Sequence, residues 1–316
     1  MADFVHGKWR AEEDFPRDTS GRYVRPDSAF RNWITPDGSA GPSGEGGFKA
    51  EAGRYHLIVS LACPWAHRTL IFRKLKGLES MISLSVVHWL LGPRGWTFDD
   101  GPGVVPDPIF GAAELREFYT KARPDFSGRV TVPVLWDKMR NTIVSNESSE
   151  IIRMFNSAFD GLGAVEGDYY PEPLRPEIDD LNARIYPTVN NGVYRAGFAT
   201  SQAAYEEAYR ALFETLEWLE TRLSDQSFLC GGRLTEADWR LFTTLIRFDP
   251  VYFGHFKCNK RQIRDYEALT RYLKTLYHWP NVAETVDFFH IKHHYYESHR
   301  KINPTGIVPL GPELSL

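Results

Sequence analysis

The sequence predicts an α/β N-terminal domain followed by an all-α C-terminal bundle. Three observations carry this. From Arg54 onward, apolar runs rich in β-branched residues alternate with helical patterns; beyond position 180 apolar residues recur at steps of three and four; and the stretch between, 161–176 (GLGAVEGDYYPEPLRP), is rich in Gly and Pro.

Residues 1–53 lack sustained periodicity and include the Gly-rich stretch 37–47 (DGSAGPSGEGG), so they read as an N-terminal extension, a loop or extended arm. Its aromatics, Phe4, Trp9, Phe15, Tyr23, Phe30 and Trp33, are spaced as anchors for a segment lying across a folded body. The α/β domain occupies 54–160. Residues 54–62 (RYHLIVSLA) read as a buried strand, 64–78 as a helix and 82–91 (ISLSVVHWLL) as a second strand, which makes a βαβ unit. An insertion over 92–128, full of Gly, Pro and Asp, carries a short helical pattern at 112–122. Strands follow at 130–136 (VTVPVLW) and 141–145 (NTIVS), then a helix at 147–155. Pro133, near the start of an apolar strand, has no N–H for the ladder, and a cis peptide at the strand entrance would explain its place.

A linker over 161–180 leads to an all-helical domain over 181–316. Tyr205, Tyr209, Leu212, Leu216, Leu219 and Leu223 line one face of an amphipathic helix. Thr235 and Asp238 form a capping box that starts a helix running to about 248. Another helix, over 266–277, is ended by Pro280, and a last one begins within 282–289.

The functional reading centres on Cys63-Pro64-Trp65-Ala66. A strand followed directly by a helix puts Cys63 at the helix's first turn, where Pro64 is tolerated because its missing N–H would have no partner. A thiolate there faces unpaired backbone N–H groups and the positive end of the helix dipole, which lowers the thiol pKa below the usual value of about 8.5. Cysteine is often simply a buried core residue. The Cys-Pro helix start is what favours a nucleophile over that role.

With 316 residues, 42% hydrophobic and 25% charged, the chain has ample material for one large domain or two smaller ones. A net charge of −4 gives no electrostatic reason to expect nucleic acid or acidic membranes as partners. Three cysteines, Cys63, Cys230 and Cys258, are too few for a disulfide framework and fit a reducing compartment; Cys230 and Cys258 read as structural. The N-terminus is too polar for a signal peptide and no apolar run reaches a membrane span, so a cytoplasmic location is expected. Nine Trp and fifteen Tyr suggest aromatic surfaces for a flat ligand or a partner. His67 and the run His290, His293, His294 and His299 invite a metal reading. His290 and His294 have i, i+4 spacing, but no acidic residue completes an HExxH pattern, and no metal is expected.

The order of these parts resembles a glutathione transferase: a thioredoxin-like α/β domain with a Cys-Pro helix start, a Val-Pro strand entrance and a Glu-Ser helix start, followed by a helical bundle. More narrowly, Cys63-Pro64-Trp65-Ala66-His67-Arg68, Gly95-Trp96, Thr131-Val132-Pro133-Val134-Leu135-Trp136-Asp137 and Asn146-Glu147-Ser148 resemble the glutathionyl-hydroquinone reductases, the Xi class of that superfamily. The resemblance covers nearly the whole chain, including Tyr252-Phe253-Gly254-His255-Phe256-Lys257.

It implies that Cys63 attacks the sulfur of a glutathionyl-hydroquinone, releases the hydroquinone and leaves a Cys63–glutathione mixed disulfide, which a second glutathione resolves to oxidised glutathione. Ala66 stands where a dithiol oxidoreductase would have its second cysteine, so the resolving thiol must come from outside. Glutathione is then a co-substrate. Val132 would pair its backbone with the cysteinyl part. Ser148 and the helix N–H groups would bind the γ-glutamyl carboxylate and Glu147 the amine; a plain helix cap is the simpler role for Ser148, and one residue can do both. Arg129 would meet a carboxylate and Trp96 would stack or donate its N–H. For the hydroquinone ring, Tyr194 and Tyr296 resemble the family's pocket tyrosines, with Tyr252 a further candidate; a phenol could also protonate the departing ring. The resemblance also implies a homodimer through the helical domains. An omega-type thioltransferase or dehydroascorbate reductase, or a non-catalytic ligand-binding module, would fit the same fold.

Overall fold

The computed structural model describes residues 3–11, 15–314 and 316. The chain forms two compact units: Met1–Asp14, Asp27–Gly167 and Glu284–His294 make the first, and Phe15–Pro26, Asp168–Ala283 and Tyr295–Leu316 the second. The principal crossing, at Gly167/Asp168, falls inside the Gly/Pro-rich stretch.

In the first unit a short hairpin, β1 (Asp3–Val5) and β2 (Lys8–Arg10), is followed by β3 (Tyr55–Val59), α1 (Pro64–Leu75), β4 (Ile82–Val86), α2 (Arg116–Ala122), β5 (Gly128–Arg129), β6 (Val134–Asp137), β7 (Thr142–Ser145) and α3 (Ser148–Ser157). The main sheet has the order β4-β3-β6-β7, with β3 and β4 parallel and the other neighbours antiparallel. Every residue of β3 and of β6 is buried, which is why both read as continuous apolar runs and not as alternations. Two groups of polar side chains meet within this core. His56 faces two serines that stand on one side of β4, with Nδ1 2.7 Å from Ser83 Oγ and Nε2 2.9 Å from Ser85 Oγ. Arg54 Nε donates to both carboxylate oxygens of Asp137 at 3.1 Å, tying the start of β3 to the end of β6.

Several predicted bounds shift for local reasons. The strand expected over 54–62 ends at Val59, because Ser60–Ala62 turn toward the helix. The strand expected over 82–91 ends at Val86; beyond it the Val87 N–H still reaches Val59 O, and His88 N–H turns to Thr97 O. The strand expected over 130–136 begins only at Val134, after a cis Val132–Pro133 bond, so Pro133 does sit at a strand entrance. Residues 128–129 pair with β1 instead, in a second sheet of order β2-β1-β5.

The N-terminal segment is not a separate arm. Its first strands join that second sheet, and Phe4 packs edge-on to Phe126 with ring centroids 6.1 Å apart. A strap at 28–35 runs beside β7 and covers the edge of the main sheet. Asn32 N–H donates to Val144 O at 2.9 Å, Asn146 N–H to Phe30 O at 3.1 Å, and Phe30 N–H to Asn146 Oδ1 at 3.0 Å. Residues 15–26 belong to the second unit, where Phe15 stacks on Phe198 with centroids 3.7 Å apart.

The second unit holds α4 (Arg175–Ile185), α5 (Gly192–Gly197), α6 (Gln202–Ser224), α7 (Glu236–Arg247) and α8 (Glu267–Tyr277). Helix α4 starts inside the stretch expected as linker, at Arg175 with Pro176 in its first turn, and buries Ile178, Leu181 and Ile185. Asp238 of the capping box is fully buried and accepts four bonds: from Leu229 N–H and Thr235 N–H at 2.8 Å, Tyr272 hydroxyl at 2.9 Å and Thr235 hydroxyl at 3.0 Å. α9 (Phe288–Ser298) passes from the first unit to the second between His294 and Tyr295. The expected helical domain over 181–316 therefore loses residues 284–294 to the first unit. Four bonds hold them there: His67 Nε2 to Thr285 Oγ1 at 2.7 Å, Lys74 Nζ to Glu284 at 3.0 Å, His290 Nε2 to Pro102 O at 2.6 Å and His294 Nδ1 to Trp89 O at 2.7 Å. Among the described residues no helix is long and apolar enough to cross a membrane.

Candidate active site

Cys63 sits between the turn after β3 and the first turn of α1. Its backbone is extended, its N–H donates to Ser60 O at 3.1 Å, and its carbonyl accepts the helix's first bond from His67 N–H at 2.9 Å. Pro64 takes the first helical position without wasting a donor. The thiol Sγ lies 3.7 Å from Val132 O, the carbonyl that precedes the cis bond. Of the three cysteines only Cys63 is half-buried, and none forms a disulfide. Burial pushes the Cys230 thiol up to about 11 and the Cys258 thiol higher still, so both stay protonated at neutral pH.

A second group of polar atoms gathers where β7 gives way to α3. The N-cap of α3 is Glu147, one residue before the Ser148 that sequence offered as the cap. Its carboxylate accepts from Ser149 N–H at 3.0 Å and Ser149 hydroxyl at 2.8 Å through Oε1, and from Ser28 hydroxyl at 2.9 Å through Oε2. Burial pushes this carboxyl up, but those donors and the Arg68 guanidinium together outweigh it and hold the group below the usual carboxylate range. Capping leaves Ser148 available. Its N–H, like that of Val132, meets no acceptor among the described residues.

Arg68, in the second turn of α1, joins the two groups. It is almost wholly buried, its guanidinium lies 4.6 Å from the Trp65 ring centroid, and Nη1 is 3.5 Å from Ser148 Oγ. Trp96 is buried and stacks on the His294 ring, with centroids 5.0 Å apart. Arg129 lies in β5, opposite Asp3 of β1.

The phenols belong to the second unit. The Tyr194 and Tyr295 hydroxyls are hydrogen-bonded to each other, and Tyr252 Oη lies 2.9 Å from Tyr295 Oη. This three-phenol chain has Tyr295 at its centre. Tyr252 and Tyr295 are buried and Tyr194 is half-buried, so Tyr194 is the end that solvent reaches. Burial, with Tyr252 adding to it, pushes the Tyr295 phenol well up. Tyr296, the expected partner of Tyr194, is elsewhere: its hydroxyl donates to Pro250 O at 3.3 Å and its ring packs on His255. Tyr252, expected as a pocket wall, is fully enclosed and acts on Tyr295.

Two family models match the chain, "Glutathione S-transferase, N-terminal domain" over 62–158 and "Glutathione S-transferase, C-terminal domain" over 202–275. Over 313 residues the sequence is 58% identical to glutathionyl-hydroquinone reductase YqjG of Escherichia coli, an alignment spanning 99% of this chain and 95% of that protein. The chain belongs to the glutathionyl-hydroquinone reductase family. It is 54% identical to glutathionyl-hydroquinone reductase PcpF of Sphingobium chlorophenolicum, over 99% of this chain and 96% of that one. The Xi-class glutathione transferase of Natrialba magadii superposes with a TM-score of 0.93 at 48% identity, over 100% of this chain and 95% of that one. The glutathione-bound structure of YqjG superposes with a TM-score of 0.92. Membership in this family makes the chain an enzyme of the glutathione transferase superfamily, with its thioredoxin-like domain followed by a helical one.

Within that frame the structure brings Cys63 to Val132 and ties Ser148 to α1 through Arg68. Arg68, Ser28 and Tyr295 were not assigned roles from sequence. Arg68 carried a signal, a cation one turn beyond a Cys-Pro helix start. Ser28 carried none. Tyr295 and Tyr296 are adjacent, and only the packing of α9 separates them. Of the histidines that invited a metal reading, His67 Nε2 bonds to Thr285 Oγ1, His290 Nε2 to Pro102 O and His294 Nδ1 to Trp89 O, and His299 Nδ1 lies 3.1 Å from His255 Nε2.

Proposed function

We propose that the chain reduces glutathionyl-hydroquinones with glutathione, through a Cys63–glutathione mixed disulfide. The observation that carries this is Cys63 itself: the one half-buried cysteine, at the start of α1, with Sγ 3.7 Å from the Val132 carbonyl. In the first step Cys63 thiolate attacks the glutathionyl sulfur. The sulfur–ring carbon bond breaks, the ring carbon keeps the electron pair and takes a proton, and the hydroquinone leaves. In the second step a glutathione thiolate attacks the mixed disulfide, which returns Cys63 thiolate and oxidised glutathione. With alanine at position 66, where a dithiol oxidoreductase has its second cysteine, the resolving thiol is supplied by glutathione.

Glutathione fits the unoccupied donors and acceptors of the first unit. Val132 N–H offers a bond to the cysteinyl backbone, as an added strand takes one. Ser148 N–H and hydroxyl, at the start of α3 with the Arg68 charge beside them, suit the γ-glutamyl carboxylate. Glu147 suits the amine. Arg129 and Trp96 are assigned to the remaining carboxylate and to stacking by the family resemblance. For the ring, the phenol chain supports Tyr194 and Tyr295 as the proton-donating pair, with Tyr252 behind them, while the Tyr296 hydroxyl is bonded to Pro250 O.

The protein is assigned to a reducing, cytoplasmic setting and as a homodimer, and sedimentation at micromolar concentration tests the dimer directly. The chemical reading is tested by following hydroquinone release from a synthetic conjugate. Cys63→Ser should abolish it, and unchanged turnover would defeat the proposal. Equal rates on glutathione mixed disulfides of unrelated thiols would move the assignment to an omega-type thioltransferase.

A further inference from the structure

Three donors hold the Glu147 carboxylate, and they come from two distant parts of the chain. The two from Ser149 are local, of the kind an N-cap carboxylate collects from its own helix. The Ser28 hydroxyl is not local, since it lies 119 residues upstream. It reaches Glu147 because the strap is laddered onto β7 and the start of α3, through Asn32 to Val144, Phe30 to both backbone and side chain of Asn146, and an ion pair between Arg31 and Glu150.

An ionised carboxylate offers about four lone-pair sites. Two on Oε1 are filled by Ser149 and one on Oε2 by Ser28, which leaves one on Oε2. Every donor present is neutral. A half-buried carboxylate with one open site is matched by a single ammonium, and a ligand without an ammonium gains nothing from it.

We propose that Ser28 is a positioning residue for the amine of glutathione: its hydroxyl fixes the Glu147 carboxylate so that the remaining Oε2 lone pair receives the γ-glutamyl ammonium. The N-terminal strap thereby takes part in choosing the co-substrate without touching it. This rests on the reading of Glu147 as the partner of that amine. Without Ser28, Oε2 loses the donor that orients it, and the carboxylate also takes up a proton more readily, so discrimination should fall first at the acid end of the pH range.

The test uses the full chain and two unreactive probes, S-methylglutathione and its deamino analogue, which keeps both carboxylates but lacks the amine. Calorimetric Kd values are measured for wild type, Ser28→Ala, Ser28→Thr and Glu147→Gln between pH 5 and 8. Ser28→Ala should bind the amine-bearing probe roughly tenfold more weakly, the loss of one hydrogen bond to a charged group, and the deamino probe unchanged. Its binding should fall off at higher pH than that of wild type, and Ser28→Thr should restore both. Glu147→Gln should lose discrimination outright. If Glu147→Gln loses discrimination but Ser28→Ala does not differ from wild type with the amine-bearing probe, the Ser28 proposal fails and the Glu147 reading stands. If Glu147→Gln retains full discrimination, the Glu147 reading fails and takes this proposal with it. A Ser28→Ala variant that weakens both probes equally shows a structural role alone and also overturns the proposal.

Discussion

Arg68 Nη1 lies 3.5 Å from Ser148 Oγ, which couples the helix that begins at Cys63 to the helix that begins at Ser148. One buried guanidinium thus bridges the two elements proposed to cradle glutathione. Replacing it with methionine keeps the unbranched apolar stem but removes the guanidinium, and with it the charge and the contact with the Trp65 ring. Arg68→Met should weaken glutathione binding by about 2 kcal/mol, the scale of a hydrogen bond to a charged group, or roughly thirtyfold in Kd. Titration calorimetry with S-methylglutathione measures this, and an unchanged Kd would remove Arg68 from the site.

The phenol chain separates neighbours that look alike in sequence. If Tyr194 and Tyr295 deliver the ring proton, Tyr194→Phe and Tyr295→Phe should each lower hydroquinone release by about a hundredfold, within the range for general-acid groups, while Tyr296→Phe stays near wild type. Single-turnover kinetics locate the loss in the first step. A deficit in Tyr296→Phe as large as in Tyr295→Phe would contradict the geometry.

His56 makes stability depend on pH with a defined sign. Burial between Ser83 and Ser85 pushes its pKa down from 6.5 to about 4, so the folded chain keeps it neutral where the unfolded chain protonates it. Unfolding therefore takes up a proton between those values, and stability is lost as pH falls from about 6.5 toward 4. The contribution is about 3 kcal/mol across that window. Urea unfolding of wild type and His56→Asn should differ in slope with pH there, the variant being the flatter. Parallel curves would refute the assignment.

Asp238 should behave in the opposite way. Burial raises its carboxyl from 3.8 to about 6 despite four donors, so its contribution is full at low pH and falls as pH rises from about 4 to 6. Deleting the carboxylate orphans those donors, two of them backbone N–H groups. Asp238→Ala should cost about 3 kcal/mol at pH 5 by chemical denaturation, as loss of a cap and of buried hydrogen bonds implies. A cost below about 1 kcal/mol, the scale of a single solvent-exposed cap, would mean the box is not what starts α7.

These residues also show what the sequence could and could not tell. Cys63, Val132 and Ser148 stood out as candidates because each sits at a boundary where a strand meets a helix or a proline, and boundaries leave local marks. The capping box of Thr235 and Asp238 was readable for the same reason. Ser28 was not, because its role comes from a ladder between the strap and β7 that no local pattern encodes. Nor was the return of residues 284–294 to the first unit, which depends on His67, Lys74, Pro102 and Trp89, all far away in the chain. Tyr295 and Tyr296 differ by one position on a helix, about 100° of rotation, and composition does not choose between them.

The central claim is that Cys63 carries glutathione between the two half-reactions. Mass spectrometry of the protein quenched in acid after one turnover with a glutathionyl-hydroquinone, before any glutathione is added, tests it most directly. The account predicts one glutathionyl unit per chain, located on the peptide that holds Cys63, absent in Cys63→Ser and removed when glutathione is supplied. Hydroquinone release with no adduct on Cys63, or with the adduct on Cys230 or Cys258, would contradict it.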